Sequence, residues 1–166
     1  YVFVKLMDPI SAPIIISSPL GYLKISTQPQ GISSIQFCLK SDTDHSQKTT
    51  NSHLLNCEKQ LQEYFTGKRN EFTLPLVIQG THFQKLVWQE LLKLNYGSTI
   101  SYGELAQVIN NPKAARAVGM ANRVNKIPII IPCHRVIGKN GKLTGYASGI
   151  WRKEWILTVS CMKTDL

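Results

Sequence analysis

The stretch "IPIIIPCHRVIGKNGKLTGY", Ile127 to Tyr146, constrains the fold more than any other part of the chain. It opens with an apolar run rich in β-branched residues, which reads as a buried strand around which a core must form. Directly at the exit of that run stand Cys133 and His134. A core cysteine needs no histidine beside it. A reactive one often does, because the thiolate is the nucleophile and a nearby base raises its population. Core element and candidate chemistry therefore share one segment.

Upstream of it the chain reads as helical. "THFQKLVWQELLKL" carries Phe83, Leu86, Val87, Leu91 and Leu92 on one stripe, with Thr81 as cap. "SYGELAQVI" opens with Ser101 and Glu104, a capping box that satisfies two otherwise orphaned amides. In "NNPKAARAVGMANRVN", Asn111 is placed to cap a second helix and Pro112 to sit in its first turn. Two short helices about a tight Asn-Asn turn have the spacing of a helix-turn-helix. The second is filled with small residues, Ala114, Ala115, Ala117, Gly119 and Ala121, interspersed with Lys113, Arg116 and Arg123. A mid-helix glycine costs about 1 kcal/mol relative to alanine. Close approach of the backbone to another surface, a nucleic-acid groove or the protein's own core, offsets that.

The N-terminal part reads differently. "APIIISSPLGYLKISTQPQGISSIQFCL" holds extended runs, Tyr22–Ser26 and Ser33–Phe37, broken by Pro-Leu-Gly and Gln-Pro-Gln-Gly turns. Lys40–Ser52 is polar and expected as a loop, "HLLNCEKQLQEYF" as a helix ended by Gly67, and "FTLPLVIQG" as a short extended piece. The expected architecture is thus α/β in two parts. Residues 1–79 form a small N-terminal β-sheet domain with a helix. Residues 80–166 form a mainly helical C-terminal domain with the helix-turn-helix and the active-site cysteine.

Charge changes at the same boundary: residues 1–79 carry net +1 and residues 80–166 net +8, with no Asp or Glu between Leu105 and Lys153. So one-sided a basic surface is expected to face phosphates. No apolar run reaches the roughly 20 residues that span a bilayer, and no leader pattern precedes the domain, so a soluble, cytoplasmic protein is expected. The four cysteines, Cys38, Cys57, Cys133 and Cys161, form no CxxC pair. A disulfide scaffold is therefore disfavoured. So is a zinc site from Cys38, Cys57, His45 and His53, which lacks paired-ligand spacing; no metal is expected.

"GTHFQKLVWQEL", "YGSTISYGELAQVINNPKAARAVGMANRVN", "IPCHRVIGKNGKLTGYASG" and "RKEW" together strongly resemble the O6-alkylguanine-DNA alkyltransferases, also called methylated-DNA–protein-cysteine methyltransferases. The resemblance is strong from Gly80 to Leu157 and fainter through "SPLGYLKIS" and "QLQEYFTGKRNEFTLPL". It implies a ribonuclease H-like fold for residues 1–79, and DNA binding and alkyl transfer for residues 80–166. The implied reaction moves an alkyl group from guanine O6, and O4-alkylthymine as a further substrate, onto Cys133, once per molecule and without a cofactor. The implied partner is double-stranded DNA containing O6-alkylguanine, bound by a monomer.

The resemblance also assigns residues. His134 polarises the thiol through a water, Asn125 hydrogen-bonds at the active site and holds the preceding turn, and Tyr102 gives its proton to the departing guanine. Arg116 fills the gap left by the extruded nucleotide, because a stacked base cannot reach a buried thiol. Ala115, Ala117, Gly119, Arg123 and Arg135 join it on DNA, the small residues suiting a helix in the minor groove. Pro128, Val136, Tyr146 and Ala147 line the base pocket.

Three positions depart from the family pattern. Lys126 stands where proline is usual, and Ala147 replaces a common Ser or Gly whose backbone amide makes the contact. Ser160 occupies the place of a glutamate that hydrogen-bonds the histidine, within a tail, "TVSCMKTDL", that no longer resembles the family. This leaves as an alternative a non-catalytic alkyl-DNA binding protein, its thiol disabled by the altered tail. A cysteine hydrolase is disfavoured, since adjacent Cys-His is not how such nucleophile–base pairs are built. A helix-turn-helix regulator is disfavoured because small residues replace base-reading polar ones.

Overall fold

The computed structural model describes residues 11–45 and 48–161, and the chain forms two compact units that part between Val77 and Ile78. In the first, an antiparallel sheet runs in chain order through β1 (Ile14–Ser18), β2 (Gly21–Gln28) and β3 (Gly31–Cys38). Alternation drives it. Leu23, Ile25 and Thr27 are buried at every second position of β2, and the register sets Ile16 and Phe37 beside Leu23, Ile14 and Ile35 beside Ile25. Gly31 is required where β3 begins: its φ is +151°, and a Cβ there would lie 2.2 Å from the Pro75 carbonyl oxygen that Ile32 N–H bonds at 2.9 Å.

Helix α1 (Ser52–Phe65) packs across all three strands. Asn51 Oδ1 caps it by accepting from the amides of His53 and Leu54, and Leu54, Cys57, Leu61 and Tyr64 make its buried stripe. Gly67, at φ +73°, takes the left-handed position just past its end. Two expectations differ in detail. Lys40–Ser52 holds a 3₁₀ turn over Lys40–His45, and "FTLPLVIQG" contributes only a single bridge from Leu76 to Ile32. Pro75, with no amide hydrogen, cannot extend that bridge into a ladder.

The second unit contains α2 (His82–Leu92), β4 (Ile100–Ser101), α3 (Tyr102–Val108), α4 (Ala115–Arg123), β5 (Val136–Ile137) and α5 (Ile150–Cys161). Complete capping boxes start α2 (Thr81, Gln84) and α3 (Ser101, Glu104). Trp88 joins α2 to α4 by donating its buried indole N–H to Ala121 O at 3.0 Å. Strands β4 and β5 pair in parallel, Ile100 beside Val136. The helix-turn-helix is present as α3 and α4, but its turn is built otherwise than expected. Asn110 (φ +57°) ends α3 in a Schellman arrangement, with Asn110 N–H on Gln107 O and Asn111 N–H on Ala106 O. Asn111 is therefore spent on closing α3. Helix α4 starts at Ala115 behind Ala114, which has no side-chain cap to offer.

The expected buried strand is instead a buried turn. Ile131 N–H bonds Ile127 O at 2.9 Å, and Ile127, Ile129, Ile130 and Ile131 are all at most 5% exposed. Pro128 and Pro132 remove the amides a ladder would need. Ile129 sits at φ +75°, an outlier for a β-branched residue that stores about 1–3 kcal/mol. Asn125 holds the turn closed: its Oδ1 accepts from Ile127 N–H at 3.0 Å and its Nδ2 donates to Ile131 O at 2.9 Å.

Candidate active site

Out of that strained turn comes a 3₁₀ turn, Cys133–Arg135, which leads into β5. Cys133 is 6% exposed, and its amide bonds Ile131 O at 2.8 Å. The thiol lies at the side of a small open cleft with a cavity volume of about 40 Å³. Asn122 and Arg123, at the end of α4, form one wall, Asn125 and Pro128 the next, and the loop Gly145–Ser148 the third. Helix α4, a strained turn and a glycine-containing loop thus converge on one sulfur.

Two opposing influences set the state of that sulfur. Burial pushes the Cys133 thiol above its ordinary value, while a hydrogen bond from Asn125, the positive charge of Lys153 and the nearby backbone amides pull the other way. Burial wins. His134 is completely buried, and its pKa falls well below the usual imidazole value, first through desolvation and then through the charges of Arg135 and Lys153. It is a neutral ring whose Nδ1 and Nε2 both lack a hydrogen-bond partner among the described residues. Ser160, in the place of the expected glutamate, does not reach it. Its hydroxyl, 1% exposed, donates at 2.9 Å to Ile156 O of its own helix.

Tyr102 stands at the first turn of α3 and donates its phenolic proton to Thr144 O at 2.8 Å. Its pKa is raised, chiefly by burial. Thr144 O also accepts from Lys153 Nζ at 3.1 Å. Lys153 is fully buried on α5, bonds Val136 O as well, and has no carboxylate partner among the described residues. Burial lowers its pKa and the Cys133 thiolate raises it.

Of the residues expected to line a pocket, Pro128, Tyr146 and Ala147 face this cleft. Val136 does not: it is wholly buried in β5, with its carbonyl engaged by Lys153. Among those expected on DNA, Arg116, Ala117 and Arg123 lie on the exposed face of α4 beside Met120, 57% exposed. Ala115 and Gly119 are half-buried. A Cβ on Gly119 would only touch the Tyr102 ring at 3.8 Å, an ordinary contact, so no close approach there demands a glycine. Arg135 is the clear correction. It is 6% exposed, donates to Leu94 O at 2.8 Å and lies 5.9 Å from the Tyr96 ring centroid, so its guanidinium anchors the fold and cannot meet a phosphate.

Sequence reasoning missed Lys153 and Asn122. Lys153 was visible only as one basic residue among nine, in a stretch expected to face phosphates. Asn122 was hidden among the small fillers of α4. The helical stripe Val118, Ala121, Asn122 would have placed it inward.

Residues 14–78 match the family model described as the ribonuclease-like domain of 6-O-methylguanine DNA methyltransferase, and residues 82–159 the model of its DNA binding domain. The methylated-DNA–protein-cysteine methyltransferase of Methanosarcina acetivorans is 44% identical over 146 residues, which is 86% of this chain and 94% of that one. The constitutive enzyme of that name from Bacillus subtilis is 44% identical over 136 residues, 78% of this chain and 82% of that one. Among solved structures, Mycobacterium tuberculosis OGT in complex with DNA superposes with a TM-score of 0.80 at 40% identity, covering 90% of this chain and 92% of its own.

Proposed function

The chain belongs to the 6-O-methylguanine DNA methyltransferase family, and on that premise we infer that it repairs DNA by moving an alkyl group from guanine O6 onto its own Cys133. The observation that carries the assignment to this residue is the cleft, in which a nearly buried thiol lies beside the inner end of the recognition helix. The non-catalytic alternative is not favoured: the nucleophile is in place, and the relatives are named transferases.

Burial of the thiol decides the order of events. A base stacked in duplex cannot present its O6 substituent to the sulfur of a residue only 6% exposed, so the nucleotide must leave the helix first. The outer face of α4 meets the duplex, and Arg116, exposed near its N-terminal end, occupies the gap. The duplex binds through the basic surface of residues 80–166, with net charge +8. The protein acts there as a cytoplasmic monomer.

Neutral His134 accepts the proton as Cys133 becomes a thiolate. The sulfur attacks the alkyl carbon, an S–C bond forms, and the C–O6 bond breaks with its electrons going to guanine. Tyr102, turning from Thr144 O, supplies the proton the departing guanine needs, and the proton taken up by His134 makes good the one the phenol gives. Asn125 and Lys153 hold the sulfur's negative charge. A thioether is a poor leaving group and no second nucleophile faces it among the described residues, so each molecule turns over once.

The test is intact-mass analysis after incubation with duplex containing O6-methylguanine. One methyl in place of one hydrogen, located on the peptide bearing Cys133, is expected. Methylation of Cys38, Cys57 or Cys161 in a Cys133→Ala protein would refute the site.

A further inference from the structure

The wall of the cleft contains a polar side chain with nothing to bind. Asn122, the penultimate residue of α4, is 9% exposed, and neither its Nδ2 nor its Oδ1 has a hydrogen-bond partner among the described residues or contact with solvent. A carboxamide offers two donors and an acceptor, and leaving all of them buried and unmet is costly. Its neighbours show that the orphaning is local. Asn125, three residues on, has both amide atoms engaged with backbone, and Trp88 satisfies the Ala121 carbonyl next door. A leucine would fill the position without the cost. The amide makes sense where something entering the cleft completes it.

We infer that Asn122 is a specificity-determining residue that reads the amino edge of the extruded guanine. Satisfying both ends of a carboxamide takes a ligand with an acceptor and a donor side by side. Alkylation at O6 leaves the adjacent ring nitrogen N1 without hydrogen, an acceptor, and the exocyclic 2-amino group beside it is a donor. The second ring nitrogen on the other side of that amine, N3, is an acceptor too. Either pairing lets Nδ2–H meet a ring nitrogen while Oδ1 accepts from the amine. O4-alkylthymine offers no amine on that edge, only acceptors, so Oδ1 would stay unmet and the base would be disfavoured. Asn122 thereby selects for guanine at the wall of the cleft, while Cys133 does the chemistry.

This inference rests on the cleft being the base pocket, and its test separates the two. Single-turnover transfer is measured on duplexes containing O6-methylguanine, O6-methylhypoxanthine, which lacks only the 2-amino group, and O4-methylthymine. The wild-type protein is expected to favour O6-methylguanine over each of the others by about tenfold or more, the size of one good bidentate contact. Asn122→Leu should lose about tenfold on O6-methylguanine, change little on the other two, and so collapse both ratios. Its melting temperature should stay level or rise, because an orphaned amide has gone. Wild-type ratios near one would overturn the inference without any variant. So would equal losses on all three bases, which mean a purely structural Asn122, or no loss at all, which means water already satisfies it. Methyl transfer to Cys133 in those cases leaves the proposed function standing; absence of transfer to Cys133 in the wild-type protein refutes that function itself.

Discussion

Lys153 and Tyr102 donate to the same atom: the ammonium at 3.1 Å and the phenol at 2.8 Å both reach the carbonyl oxygen of Thr144. The lysine is fully buried, and its Nζ lies 5.8 Å from the centre of the tyrosine ring. A buried cation without a carboxylate is expensive, so the fold keeps it at some cost. What it faces explains the retention. Its charge favours the Cys133 thiolate, and its grip on Thr144 O fixes the acceptor that Tyr102 uses at rest.

Lys153→Met tests this directly. The methionine fills similar space and removes the charge, so the Cys133 thiol should rise further. Below the thiol pKa each unit of rise lowers the thiolate fraction about tenfold, equivalent to about 1.4 kcal/mol. The pH–rate curve with free O6-benzylguanine should move to higher pH, with a much smaller loss at strongly alkaline pH. A curve of unchanged position and uniformly lower height would make Lys153 merely structural.

His134 predicts an acid limit to stability. Its folded pKa is depressed, so between that value and the ordinary 6.5 the unfolded chain binds the extra proton. The stabilisation is complete above about pH 6.5 and declines as pH falls below it, by at most about 1.4 kcal/mol per unit. Urea midpoints should drop between pH 7 and 5 in the wild-type protein and fall less in His134→Gln. Parallel curves would mean the ring is not buried as a neutral group.

Two arginines close in sequence terms should behave oppositely. Arg116→Ala should slow repair of duplex by at least about tenfold yet leave reaction with free O6-benzylguanine nearly intact, since only duplex needs a base extruded. Arg135→Ala should cost roughly 2–4 kcal/mol of stability, because it strips a buried hydrogen bond to Leu94 O. Its effect on the salt dependence of DNA binding should be negligible. A reduced salt slope in Arg135→Ala would return that residue to the DNA surface.

These cases also mark what the sequence could reveal. Local signals were legible: the capping boxes at Ser101 and Thr81, the glycine after α1, and the Pro-Cys-His-Arg core were read where the structure places them. Two of the failures are nonlocal. Arg135 looked like a phosphate ligand because its partner, Leu94 O, is 41 residues away. Lys153 was counted with the phosphate-facing basic surface because its acceptors come from β5 and the loop before α5. Ile127–Ile131 has strand composition, but two prolines and the two hydrogen bonds of Asn125 fold it into a turn. Propensity reports what a residue prefers, and at these positions packing overrode it.

Ser160→Glu probes the remaining departure from the family. The serine shares the buried face of α5 with Ile156 and Lys153, one and two turns away, and its hydroxyl is spent on Ile156 O. His134 has nothing to orient it among the described residues. Asp165, the nearest alternative carboxylate in sequence, lies outside them. With the thiol raised by burial, the wild-type rate should keep climbing as pH rises from 7 past about 9, because the thiolate fraction limits it. A glutamate on this face would place a carboxylate toward His134, raise the imidazole pKa and strengthen it as a base. The neutral-pH rate should increase, by less than the gain in thiolate fraction because nucleophilicity falls as thiol pKa falls. The climb with pH should flatten to match. A wild-type profile already flat from pH 6.5 to about 8.5, unmoved by the substitution, would show that His134 is oriented by another group and that Ser160 is only a helix residue bonded to its own backbone.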